Sequence, residues 1–176
     1  MKKITFLLTF LLFTFSTHQV FSQTYDLTIV TNNGANGVSE ILSGVTMTVV
    51  ARTNGANNTS FGVIPVLGTN GVAFHASSST NTEEMTITFD ATVNVSSIRM
   101  ITDITGHSRT WTFTPTGGSN TPVTETNTFA TSTDVTLNFT GVTQITITSD
   151  FPAGGQERMV FDQLTLKDEI SPILIS

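Results

Sequence analysis

The sequence predicts an all-β protein, a sandwich or barrel of antiparallel strands, on three observations. No window repeats apolar residues at helical spacing for three turns. Apolar and polar residues alternate in many short runs, and Asn-Gly and Gly-Gly pairs punctuate those runs. Without helices between the runs, a parallel sheet built from strand-helix-strand units is excluded.

The chain opens as a secretory leader. Lys2 and Lys3 precede an almost wholly apolar run from Ile4 to Phe15, and Val20, Phe21 and Ser22 place small or moderate side chains where a signal peptidase reads. Cleavage is expected after Ser22, which makes 1–22 the signal peptide. The run is too short to span about 30 Å of hydrocarbon at about 1.5 Å per residue, and no second stretch of about 18 apolar residues follows. The mature chain is therefore expected to be secreted or held at the cell surface, with no membrane span. Subtracting 22 from 176 leaves 154 residues, enough for one domain with its own core, expected over 23–167, followed by a C-terminal tail, 168–176.

Along the domain the strands are expected near 24–31, 45–52, 61–67, 71–77, 85–90, 97–103, 109–115, 124–129, 134–139, 142–149 and 158–166. The clearest alternation is Met85-Thr86-Ile87-Thr88-Phe89, Trp111-Thr112-Phe113, Val135 to Phe139 and Ile145 to Thr148. Each puts apolar side chains on one face and mostly Thr on the other, and a β-branched Thr suits a pleated, wet surface. Asn33-Gly34, Asn36-Gly37, Asn54-Gly55, Asn70-Gly71 and Gly117-Gly118 are placed at turns, where a positive φ is needed. In the tail, Ser171-Pro172 ends the last strand and Ile173-Leu174-Ile175 is apolar.

Composition removes several functions. Seven Lys plus Arg stand against thirteen Asp plus Glu, and losing Lys2 and Lys3 with the leader takes the basic count to five and the net charge to −8. Such a chain repels phosphate backbones, and no basic cluster offsets this, so no nucleic-acid partner is expected. Having no cysteine excludes disulfides, thiol catalysis and thiolate metal sites. There is no Gly-x-Ser-x-Gly elbow, Gly154-Gly155 lacks the Lys and Ser or Thr of a phosphate loop, and neither His75 nor His107 has a second His at ligand spacing. The chain is expected not to be an enzyme.

From Met85 onward the order is an alternating strand ending Phe89-Asp90, then Val93 to Ile98, Thr110 to Phe113, Val135 to Phe139, Gly141-Val142-Thr143, Ile145 to Thr148 and Phe161 to Leu166. This order resembles the jelly-roll β-sandwich modules of secreted bacterial surface proteins, broadly of the galactose-binding or carbohydrate-binding-module type. The likeness covers roughly residues 85 to 166. It implies an antiparallel β-sandwich of jelly-roll type that acts in extracellular binding or adhesion and performs no chemistry.

Asp162 is the most informative single residue. It shares strand parity with Val160, Leu164 and Leu166, the side expected to face the core, and an inward carboxylate is costly unless paired. Its expected partners are backbone N–H groups of a neighbouring loop, an Arg such as Arg158, or a structural Ca²⁺. The resemblance implies a structural role, because comparable modules place an Asp here against the ends of other strands.

Strands that alternate in direction bring alternate loops to one end of a sandwich. On the strand list above, the loops 81–84, 103–109 and 150–158 fall together. They carry Glu83, Glu84, Asp103, His107, Arg109, Asp150, Gln156, Glu157 and Arg158, with Phe151 as the aromatic in reach. Planar polar groups beside an aromatic suit paired hydrogen bonds to sugar hydroxyls. Charges also collect on loops because loops are wet. Trp111, by its parity with Phe113, is expected in the core rather than on a sugar ring, and Tyr25 is expected to pack with its hydroxyl at the rim.

The expected function is a non-catalytic binding module for glycan or extracellular matrix, working through Asp103, His107, Arg109, Asp150, Phe151, Gln156, Glu157 and Arg158. A structural or adhesive module that meets a surface protein through its sheet edges is the alternative.

Overall fold

A computed structural model describes residues 22–27, 30–32, 37–53, 56–57, 62–66, 69–76, 83–102, 108–128, 131–149 and 157–167. For 53, 56–57, 62–66, 69–76, 83, 102, 108–109, 127–128 and 157–159 the description is of the backbone alone. Among these residues every regular element is a strand: β1 Gln23–Tyr25, β2 Thr31–Asn32, β3 Val38–Leu42, β4 Val45–Thr53, β5 Ala56–Asn57, β6 Gly62–Val66, β7 Thr69–Ala76, β8 Glu83–Thr102, β9 Ser108–Thr116, β10 Val123–Thr128, β11 Ser132–Ser149 and β12 Glu157–Leu166. All pairings between them are antiparallel.

Hydrogen bonds join these strands into one continuous sheet, because the two longest strands pass through both layers of the sandwich. The N-terminal part of β8 pairs with β4 and with the C-terminal part of β11, which pairs in turn with β9 and through it with β10. Beyond β4 lie β3 and β2. The C-terminal part of β8 pairs instead with the N-terminal part of β11 and with β12, and β12 carries β7 and β1 on its other side. The layers close on one another: the Tyr25 ring from β1 lies 6.4 Å, centroid to centroid, from Phe89 of β8, and the Tyr25 hydroxyl donates to the Val45 carbonyl of β4 at 3.0 Å.

The alternation fixes what fills the space between. Met47, Val49 and Ala51, then Met85, Ile87 and Phe89, then Trp111 and Phe113, then Ile145 and Ile147 are buried from one layer. Val95, Ile98 and Met100, then Val135, Leu137 and Phe139, then Phe161, Leu164 and Leu166 are buried from the other. A side chain of this kind contributes about 1.5–3 kcal/mol when fully buried. Trp111 is fully buried, as its parity implies.

The bends are made by irregular backbone. The register of β11 on β8 shifts between Thr136 and Phe139, Phe139 and Val142, and Val142 and Gln144. Asn138 (φ 53) and Gly141 (φ 66) sit in the left-handed region in this stretch, as bulge residues do. Asn side chains hold the bend. Asn120 accepts from Thr140 N–H and donates to the Thr140 carbonyl, both at 2.8 Å, and Asn94 Oδ1 accepts from Gly141 N–H at 2.8 Å.

Several sequence expectations need correction. Residues 85–90 and 97–102 are parts of one strand, as are 134–139 and 142–149, because pairing across the bend carries the polar residues between them. The run 24–31 is broken at Leu27, whose φ is 57. Strand β3 was not expected. It forms a hairpin with β4, pairing Leu42 with Val45 around Ser43 (φ 50) and Gly44 (φ 82), two positive φ values that match the strand twist. Asn70-Gly71 is no turn: both residues pair with β6 inside β7. Gly37 (φ 86) and Gly117-Gly118 (φ 96 and 61) have the positive φ expected of them, whereas Asn33-Gly34, Asn36 and Asn54-Gly55 lie outside the described residues.

Candidate binding end of the sandwich

The register gathers strand termini at one end of each layer. In one layer Thr53 pairs with Glu83, Ile147 with Met85, Ser149 with Trp111 and Thr128 with Ser108. In the other, Thr102 pairs with Met159, Ala76 with Glu157 and Ile101 with Ser132. Chain reach shows that these two ends are the same end of the molecule. Thr128 and Ser132 are separated by three residues and so lie within about 14 Å, and Thr102 and Ser108, separated by five, lie within about 21 Å. The segments 77–82, 103–107, 129–131 and 150–156 therefore all depart from and return to this end.

Of the candidate residues, Asp103, His107, Asp150, Phe151 and Gln156 lie outside the described residues. Arg109, Glu157 and Arg158 are placed by backbone alone. Arg109 pairs with Asn127 at the start of β9, Glu157 with Ala76 and Arg158 with His75 at the start of β12. These three are at the gathered end, on strands from both layers.

The described side chains at this end include groups that sequence reasoning missed. Arg52 of β4 faces Glu84 of β8 across one rung of the ladder, with their charged atoms 3.9 Å apart. Both are part-exposed, so the pair is worth at most about 1 kcal/mol. Asp134 of β11 stands opposite Arg99 of β8. The signal for both pairs was register across strands, which a single sequence does not print.

Asp162 is also resolved in its partners. It is 1% exposed, and both carboxylate oxygens accept from Arg99, from Nε at 2.8 Å and from Nη2 at 2.5 Å. That fork geometry is the strong form of a charge-assisted pair. The bond to Asp162 raises the Arg99 guanidinium above its ordinary pKa, and desolvation opposes it. Arg99 is thus a cationic partner of Asp162, while the Arg158 side chain lies outside the description, and a Ca²⁺ at this carboxylate would have to compete with a guanidinium already seated on both oxygens. Asp162 does not follow Leu164 and Leu166 into the core either. The register on β8 shifts between Phe161 and Gln163, and this bulge turns Asp162 to the face that carries Arg99, opposite the buried Ile98 and Met100. Among the described residues no group of three or more His, Cys, Asp or Glu is placed to hold a metal ion.

Elsewhere, a concavity lies where β1 meets β2 and β3. It encloses about 450 Å³ and is lined by Thr24, Asp26, Thr31, Ser39, Glu40, Ile41 and Leu42. Ile41 is 70% exposed there. Glu40 is buried and accepts from Leu27 N–H at 3.0 Å, so it fastens the left-handed turn after β1. Burial pushes the Glu40 carboxyl up, the Leu27 hydrogen bond pulls it down, and the Asp26 charge adds to the rise. The Tyr25 phenol is pushed up to about 12, first by burial and then by the charges of Asp90 and Glu40. Asp90, on the surface, is held below its ordinary value by hydrogen bonds from Thr46.

No protein-family model matches the chain, and no curated protein matches it. Solved structures similar to it include a family two carbohydrate esterase from Cellvibrio japonicus, at 12% identity over 86% of this chain and 35% of that one, with a TM-score of 0.44. Another is TmCBM61, solved in complex with β-1,4-galactotriose, at 13% identity over 68% of this chain and 88% of that one, with a TM-score of 0.41. The chain spans about a third of the length of the esterase.

Proposed function

We propose that the chain is an exported, non-catalytic binding module whose ligand is a glycan or a glycan-bearing matrix, held by the loops at the gathered end of the sandwich. The observation that carries this reading is the register: four segments from two layers leave and rejoin the strands at one end. Loops on a rigid β-scaffold are where recognition groups are commonly mounted. These segments and the strand starts beside them hold Asp103, His107, Arg109, Asp150, Phe151, Gln156, Glu157 and Arg158, a set rich in planar donors and acceptors and poor in nucleophiles. The apolar leader supports export.

The test is a binding screen of residues 23–176 against a broad glycan and polysaccharide panel, run with Ca²⁺ and again with chelator. A hit that Arg109→Ala or Asp150→Ala abolishes, with folding intact, supports the reading, and loss in chelator adds an ion. Absence of binding under both conditions refutes it, and points to the adhesive alternative through sheet edges.

A further inference from the structure

The residue that leader removal would expose is also the first residue of β1. Ser22 is exposed and lies outside any strand, whereas Gln23 is half-buried and opens β1. Gln23 stands opposite Leu166 in the ladder with β12, Thr24 stands opposite Thr165 with their hydroxyls 3.3 Å apart, and Tyr25, opposite Leu164, is fully buried. A chain that begins at Gln23 has no free tail to carry its α-amino group away from the sheet. That group titrates near 7.7–8.0 in an open peptide and is mostly charged at neutral pH. Here it would sit at the head of a strand pair, beside the backbone position of Lys167, which follows Leu166 and whose N–H donates to the Asn94 carbonyl at 2.8 Å. A neutral first residue adds no charge to the head of this pair, which the exposed Lys167 already flanks in the chain.

Resting on the export reading above, we propose that Gln23 of the mature chain is a modification site and closes to pyroglutamate. The uncharged α-amino nitrogen attacks Cδ of the side-chain amide. The N–Cδ bond forms, the Cδ–Nε2 bond breaks, and a proton passes from the attacking nitrogen to the departing one, which leaves as ammonia. Nothing is oxidised or reduced, and no second reactant enters. The five-membered lactam keeps one N–H for hydrogen bonding and carries no charge. Only a terminal Gln can do this, since the nitrogen of an internal residue is already committed to a peptide bond. The product begins β1 as a neutral residue and is closed to exopeptidases that need a free amine.

The full chain with its leader is expressed in a host that exports it, and the secreted protein is analysed by intact mass and by tandem mass spectrometry of its N-terminal peptide. The expected result is a chain of residues 23–176 lighter by one ammonia and refractory to stepwise N-terminal degradation. The variant Gln23→Ala is the control, cut at the same bond and degradable from Ala onward. A chain that starts at Gln23 with a free amine overturns the cyclisation while leaving the export reading in place. A chain that starts elsewhere, or that retains residues 1–22, overturns both.

Discussion

Removing the cation from the Arg99–Asp162 pair should be the most damaging single polar change in the described part of the molecule. The carboxylate is 1% exposed and accepts two bonds from one guanidinium, whose side chain is 27% exposed. Those exposures make the two partners unequal. Arg99→Met keeps most of the aliphatic stem and leaves a carboxylate in a dry site with its cation gone, which costs about 3–5 kcal/mol for a broken buried pair. Asp162→Asn keeps the volume and one acceptor, and frees a guanidinium that already reaches water, so its cost is about 1.5–3 kcal/mol, the worth of a hydrogen bond to a charged group. For a domain of about 150 residues each kcal/mol moves the Tm by about 2–4 °C, so Arg99→Met should lower it by on the order of 10 °C and Asp162→Asn by about half as much. Calorimetry of the wild type, both single variants and the double variant measures these values and their coupling, expected at about 1–3 kcal/mol. Chelator should leave the wild-type Tm where it is, because the counter-ion is Arg99. Single variants within about 2 °C of wild type, or a damage order with Asp162→Asn worse, would refute the reasoning. A drop in Tm on chelation would put a cation at this carboxylate.

Other perturbations test other parts of the structure. Glu40 is raised in the folded state by burial, so the unfolded chain loses this proton first as pH rises from about 4.5, and folding stability falls through that window. Glu40→Gln removes the titration, and its Tm should gain on the wild type between pH 4 and pH 8. Tyr25, the one tyrosine of the chain, is pushed up to about 12. The unfolded phenol ionises near 10, so stability should fall between pH about 10 and about 12, with phenolate absorbance appearing only as the protein unfolds. Gly37→Ala places a methyl 1.9 Å from the Val49 carbonyl oxygen at a φ of 86, whereas Gly44→Ala at a φ of 82 meets nothing within 4 Å. Both should lose about 1–2 kcal/mol to the left-handed backbone, and Gly37→Ala a further 1–3 kcal/mol or so to overpacking, in urea titrations. Trp111, the one tryptophan, is fully buried, so its emission should be blue-shifted, resist acrylamide, and stay unquenched when a glycan binds at the loops.

Most of the fold was legible because a half-buried strand writes its inner face into the sequence with a period of two. Met85-Thr86-Ile87-Thr88-Phe89 and Trp111-Thr112-Phe113 announce their buried side chains in this way, and the structure buries them. Legibility failed where backbone and sequence periods part company. The bend in β8 and β11 runs through residues that read as turns, and only pairing between the two strands shows them to be continuous. Asp162 was misassigned to the core side for the same reason, since a bulge at Phe161 to Gln163 breaks the count. The candidate loops were grouped by counting strands. Although the count missed β3 and split two strands, the register brings the bases of those loops together, because the omission lies upstream and each split strand returns through its bend to the same end.

By itself, the sequence determined the strand class, the inward residues of the regular strands, the core position of Trp111 and the positive φ of Gly37 and Gly117-Gly118. All of these depend on side-chain alternation or on the φ range of one residue, which are local properties. Tertiary structure alone decided that β8 and β11 serve both layers, that Arg99 meets Asp162, that Glu40 fastens the turn at Leu27, and that Gln23 opens a paired strand. These depend on which strands lie side by side and in what register, and such pairings join residues up to 143 positions apart in the chain. Closing a loop of that length costs entropy that only the assembled core offsets, so no short window of sequence carries the information.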